Sequence, residues 1–224
     1  MVFYHALYTL SNAFYNHIFS RMFKFFSPIQ PIFAAAFIII SGFCCVLSKS
    51  NLKRGLKLFI ISMLITLFTY VFYPEQIILF GILHMLSISM ILYGLLKPVL
   101  IKIPEYIGVI ICIIFFILTF DISLGKIGPY SLPLDIYKID YLFPLGIYNY
   151  KFYSADYFPL FPWIFIFFLG SFLGEMGIKN GFFECMYKKR CKLLSIIGKH
   201  TLLIYIVHQP IIYVIIWFVQ LKIK

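Results

Sequence analysis

Four of the five histidines stand in or beside long apolar runs, where an imidazole is unusual and chemically useful. His5, His84 and His208 lie inside such runs, and His17 follows the first of them. A neutral imidazole, with an unperturbed pKa of ~6.5, takes a proton from an amine or hydroxyl as it attacks a carbonyl. At the centre of a bilayer an ionisable side chain costs ~2.5 kcal/mol or more, so those present usually face a protein-lined cavity. His5, Thr9, Asn12 and Asn16 recur at i, i+4, i+7 and i+11, which is one face of a helix. Such a face is either a functional polar seam or a row of interhelical hydrogen bonds that hold a bundle together.

Polar groups accompany the other histidines as well. Gly81, His84 and Ser87 share a helical face, with Gly81 allowing close helix approach. Thr201, Tyr205 and His208 line one face of the last apolar run, and Pro210 cannot donate to the carbonyl of Ile206. A kink with a free acceptor is therefore expected near His208, with Gln209 able to stabilise it. In Ser154-Ala-Asp156-Tyr-Phe-Pro159-Leu-Phe-Pro162-Trp163, Ser154 or Asp156 can cap a helix that the prolines help to start. The N–H donors of such a start can also hold the oxygens of a bound acceptor, which makes Asp156, Trp163 and Tyr205 candidate substrate-binding residues beside Asn12 and Asn16. Ser62, Thr66, Thr69 and Tyr73 repeat a helical spacing, and their hydroxyls are expected to bond back to their own helix.

What must position these residues is a membrane. Of 224 residues, 62% are hydrophobic and 12% charged, with 27 Phe and 17 Tyr, more apolar surface than a soluble domain of this size can bury. A hydrocarbon core of ~30 Å takes ~20 helical residues. Runs of about that length cover 31–48, 55–73, 77–96, 103–120, 157–178 and 201–221, with a shorter and more polar run at 2–19. The fold expected is an all-α polytopic transmembrane helix bundle of six to seven spans, read as a single domain over 1–224.

The net charge of +11 does not mark a nucleic-acid protein, because Lys and Arg are confined to short links between apolar runs. They read as topology signals. Lys49, Lys53, Arg54 and Lys57 mark one cytoplasmic loop, Lys97 and Lys102 a second, and Lys179, Lys188, Lys189, Arg190, Lys192 and Lys199 a third. With 2–19 as a seventh helix the N-terminus is cytoplasmic and the C-terminus outside. The five cysteines form no CxxC pair, and no His pair stands at i, i+4 beside an acidic residue, so neither a disulfide frame nor a metal site is expected. No cleavable signal peptide precedes the first apolar stretch.

The ordered set GILHMLSIS, SADYFPLFPW with FFLGSFLG, and LSIIGKHTLLIYIVHQP resembles a bacterial domain of unknown function related to the heparan-α-glucosaminide N-acetyltransferase catalytic domain, within the wider group of transmembrane acyltransferases. The resemblance runs in order from MVFYHALY to HQPII. Family members usually open on Asp-x-x-Arg-Gly-(Ile/Leu)-Ala; here MVFYHALYTL resembles only the second half of that stretch, His5 takes the family His position, and Thr9 stands near a common Asp. The expectation is a first helix lacking its N-terminal half.

The resemblance implies transfer of an acyl group, typically acetyl, from cytosolic acyl-CoA to an amino sugar or hydroxyl on the opposite side. It places an acid/base histidine at the non-cytosolic end of the first helix, near His17, while His84, Asp156 and His208 match family motif positions. His5 or His17 is the expected base, with His84 and His208 as positioning or oxyanion partners. The acyl-CoA phosphates are expected near Lys53, Arg54 and Lys57 or near Lys188, Lys189 and Arg190. The setting implied is a bacterial cytoplasmic membrane, with an extracytoplasmic sugar or glycan as acceptor and a homo-oligomer as an option. Two rivals use the same polar faces without chemistry: a small-solute permease, and a non-catalytic paralogue. Inverted repeats and broken helix pairs would mark the first.

Overall fold

The computed structural model describes residues 2–14, 17–182 and 192–223, without the side chains at 12–14, 217 and 220–223. They fall into two compact units, Phe37–Gly181 and Met1–Ala36 with Phe182–Lys224. The architecture is an all-α polytopic bundle. Five described helices are long and apolar enough to cross a membrane, and six if one bent pair counts as a span.

The unit Phe37–Gly181 holds most of α3 (Gln30–Val46), then α4 (Asn51–Phe72), α5 (Ile82–Leu100), α6 (Glu105–Thr119) and α7 (Leu160–Lys179). Its centre is made by Ile38, Met85, Leu86, Tyr93 and Phe167, while Leu67, Val71, Ile110, Ile114 and Ile117 stand exposed, as lipid-facing residues should. Helices α3 and α7 meet backbone to backbone. A Cβ on Gly42 would collide with the carbonyl oxygen of Phe167, one on Gly170 with that of Ile39, and one on Gly174 would come within 2.9 Å of Phe43 O. Lipid offers no hydrophobic drive for helices to associate, so close packing over small residues does that work instead.

Several helix starts differ from the expected spans, α4 opening at Asn51 rather than near 55. Helix α5 begins at Ile82 rather than near 77, because 77–81 is drawn into pairing with 154–158. Helix α7 begins at Leu160, and its N-cap, Pro159, has no side-chain cap. Phe161 is itself extended (φ −94°, ψ 131°), as the residue before Pro162 tends to be. Residues 120–159 form short helical turns and one tiny antiparallel hairpin, β1 (Lys126–Ile127) with β2 (Tyr130–Ser131).

In the other unit, the expected single helix over 2–19 is corrected. Helix α1 (Val2–Phe14) has 13 residues, ~20 Å at 1.5 Å per residue, against a core of ~30 Å. A separate helix, α2 (His17–Phe26), runs antiparallel to it, with ring contacts Phe3–Phe26 at 5.4 Å and Tyr4–Phe23 at 5.2 Å. His17, Ser20, Arg21 and Lys24 make a polar face on α2, which opens the 30-residue candidate span His17–Val46 rather than closing the run that began at Val2. The unit's remaining described helices are α8 (Lys192–Lys199) and α9 (Thr201–Ile223). The sharp bend in this stretch, 72°, falls at His200.

Candidate functional site

Each unit carries one histidine cluster. In Phe37–Gly181 it lies where the end of α4 meets the start of α5. His84 is 3% exposed and both ring nitrogens are engaged. Thr66 Oγ1 donates its one proton to Ile78 O at 2.7 Å, so it accepts from His84 Nε2 at 3.1 Å. The Gly81 N–H donates to His84 Nδ1 at 3.2 Å. These partners assign a neutral ring protonated on Nε2, with its remaining lone pair occupied. The face of Phe80 stacks on it at 5.5 Å.

The clamp holds the extended stretch 77–81 in place. Ala155 N–H donates to Ile77 O at 2.8 Å, Phe158 N–H to Phe80 O at 3.0 Å, and Gly81 bridges Tyr157 in antiparallel fashion. Ser154, expected as a helix cap, instead accepts from Leu79 N–H at 3.0 Å. Between them Asp156 adopts a left-handed backbone (φ 51°), rare for a residue with a side chain. Its carboxylate lies beside Gly81, where an added Cβ would stand 2.9 Å from Ile78 Cγ2 and 3.2 Å from both Asp156 O and Oδ2, so the lack of a side chain there makes room for Ile78 and Asp156. Tyr157 donates its hydroxyl to Phe143 O at 2.5 Å, and burial raises its pKa above the usual phenol value. Trp163 packs on Phe158 at 5.3 Å and on Phe116 at 6.2 Å.

In the other unit α1 and α9 bring two imidazoles together. The rings of His5 and His208 lie 5.1 Å apart, at 52°. His208 is 7% exposed, and its Nδ1 lies 2.5 Å from Tyr205 O. A carbonyl only accepts, so Nδ1 carries the proton and Nε2 keeps a lone pair. That Nε2 is buried and finds no hydrogen-bond partner among the described residues, and neither does Gln209 Oε1. Buried acceptors are nearly always satisfied, so His208 Nε2 stands out as an acceptor open to a donor from outside the described residues. The Tyr205 ring stands 5.5 Å from His208, Tyr4 stands 5.7 Å from His5, and Thr9 donates to His5 O at 2.9 Å. His17 is exposed at the first residue of α2.

Lys53, Arg54 and Lys57 are exposed on the first turns of α4, whose N-cap Ser50 accepts from Lys53 N–H at 3.4 Å. The side chain of Asn12, and Asn16, Lys188, Lys189 and Arg190 entirely, lie outside the described residues. Sequence reasoning missed Thr66, whose hydroxyl reaches across to His84 and Ile78 rather than only back along its helix. Its spacing from Thr69, which accepts from Ile78 N–H at 3.2 Å, is the signal that was present.

No curated protein and no solved structure matches the chain. The family described as heparan-alpha-glucosaminide N-acetyltransferase, catalytic, matches residues 1–210, nearly the whole length and both histidine clusters, and the chain belongs to that family.

Proposed function

We propose that the protein transfers an acetyl group from acetyl-CoA to an amine or hydroxyl of a sugar held on the far side of a bacterial cytoplasmic membrane. The observation that carries this reading is the buried lone pair on His208 Nε2, unpaired among the described residues and beside His5. An acceptor N–H or O–H supplies the missing donor there. As the acceptor atom attacks the thioester carbonyl, its proton passes to His208 Nε2; when the C–S bond breaks, the same nitrogen returns the proton to the leaving thiolate. His5 is the neighbour that orients the acceptor or steadies the oxyanion.

The roles differ from those expected from sequence. His208 takes the place of His5 or His17 as base, because its tautomer leaves the reactive nitrogen unused. His84 becomes a positioning residue, because both its nitrogens are committed to Thr66 and Gly81. Tyr205, Asn12 and Asn16 are assigned to the acceptor at His208, and Asp156 and Trp163 to acceptor contacts within their own unit. Lys53, Arg54 and Lys57, or else Lys188, Lys189 and Arg190, are assigned to the phosphates of acetyl-CoA on the cytoplasmic side, where the positive charge of the links belongs.

The test uses liposomes loaded with labelled acetyl-CoA and bathed in amino sugars. The wild-type protein labels the acceptor and His208→Ala does not. Labelling that survives replacement of His5, His17, His84 and His208 together overturns the reading, and solute flux without acetyl-CoA replaces it with a permease.

A further inference from the structure

Helix α8 has an apolar side that the chain leaves bare. Lys192, Ser195 and Lys199 fall at i, i+3 and i+7 on one face, with Leu193, Leu194 and Ile197 opposite and Ile196 at the border. Leu193 is 66% exposed and Leu194 68%. Ile196 and Ile197 are exposed too.

Two features of the same unit say what covers this face. The first is the 72° bend at His200 between α8 and the start of α9. Helix α9 exposes Leu203, Ile211, Val214, Ile215 and Phe218, as a crossing helix does toward lipid. With α9 near the membrane normal, the bend leaves α8 within about 20° of the membrane plane. The second is size and charge. Four aliphatic side chains on an eight-residue helix offer on the order of 400–500 Å², short of the ~800 Å² per partner of a standard protein interface. The lysines stand at the two ends of the opposite face, where an in-plane helix meets lipid phosphates.

We propose that α8 is an in-plane helix docked on the bilayer surface, with Leu193, Leu194 and Ile197 sunk to the acyl boundary and Lys192 and Lys199 among the phosphates. The partner is the lipid itself. Docking there fixes the point from which α9, and with it His208, enters the membrane. This holds whether or not the protein transfers acetyl groups, since it rests on the bend and the bare face alone.

The experiment places the full-length protein at one copy per lipid nanodisc, with cysteine introduced by Leu194→Cys, Ser195→Cys or Ile197→Cys. Each is reacted with a membrane-impermeant maleimide and read by peptide mass. Position 195 is expected to label at least tenfold faster than 194 or 197, a gap that widens with anionic lipid and stops widening in the double variant Lys192→Gln, Lys199→Gln. Equal labelling at the three positions overturns the proposal. Protection that appears only with two copies per disc overturns it in favour of self-association. Wild-type protein in discs of photoactivatable lipid gives an independent reading: adducts on Leu193, Leu194 or Ile197 are expected, and none on any residue of α8 refutes bilayer docking.

Discussion

Replacing His84 by glutamine separates a ring that moves protons from one that holds backbone. The imidazole accepts from the Gly81 N–H at 3.2 Å and donates to Thr66 Oγ1 at 3.1 Å, in a site 3% exposed. His84→Ala deletes both bonds, strands the Gly81 N–H and leaves a cavity, together about 3–5 kcal/mol. The amide nitrogen of His84→Gln reaches the position of Nε2, keeps the Thr66 bond and loses the one to Gly81, for about 1–2 kcal/mol. At about 2–4 °C per kcal/mol for a chain of this size, the alanine variant melts far lower than the glutamine variant. Turnover is expected to follow that order, with kcat for His84→Gln within about tenfold of wild type. His208→Gln, by contrast, removes the free Nε2 and is expected to lose about 10²–10⁴ in kcat at little change in melting temperature. The assays are acceptor labelling in liposomes and thermal unfolding in nanodiscs. A hundredfold loss of kcat in His84→Gln with an unchanged melting temperature refutes the reasoning, because a ring whose only work is to position Gly81 has no proton to give.

Gly170→Ala or Gly42→Ala drives a methyl group into a backbone carbonyl of the facing helix and is expected to cost about 1–3 kcal/mol, whereas Gly198→Ala, with nothing within 4 Å, gains a few tenths through helix propensity; melting curves rank the three. Asp156→Asn keeps a side chain that tolerates the left-handed backbone and removes only the charge, so the KM for the acceptor is expected to rise while the melting temperature changes by no more than a few degrees. Because burial raises Tyr157 above its ordinary value of 10.0, the unfolded chain ionises first. Its contribution to stability is complete below that pH and is lost as pH climbs beyond it, so Tyr157→Phe flattens the alkaline fall in stability.

Much of the architecture was readable because lipid imposes one simple demand, that every spanning backbone be helical and every run long enough. The runs around Ala36, Ile61, Met90, Ile111 and Phe168 met it and form α3 to α7. The stretch 2–19 misled because His17 already belongs to a second helix, and an average of hydropathy does not separate two helices. The extended pairing of Ile77–Gly81 with 154–158 was illegible for another reason: it joins segments more than seventy residues apart, and no local pattern announces a partner so distant. The histidines were visible as anomalies, yet their division of labour was not. Which nitrogen of His84 or His208 is free depends on Thr66, Gly81 and Tyr205 as neighbours in space, and residue spacing carries no tautomer.

The glycine seam between α3 and α7 has a mechanical consequence. Side chains that interdigitate can switch rotamers and let two helices slip past each other; bare backbone pressed on bare backbone has nothing to switch. Gly42, Gly170 and Gly174 therefore weld the two helices into one beam inside their unit, which moves whole or not at all. A rocking carrier would need its hinge somewhere else. The entry to α7, with Asp156 just ahead of it, is thereby tied to α3 through backbone rather than through side chains.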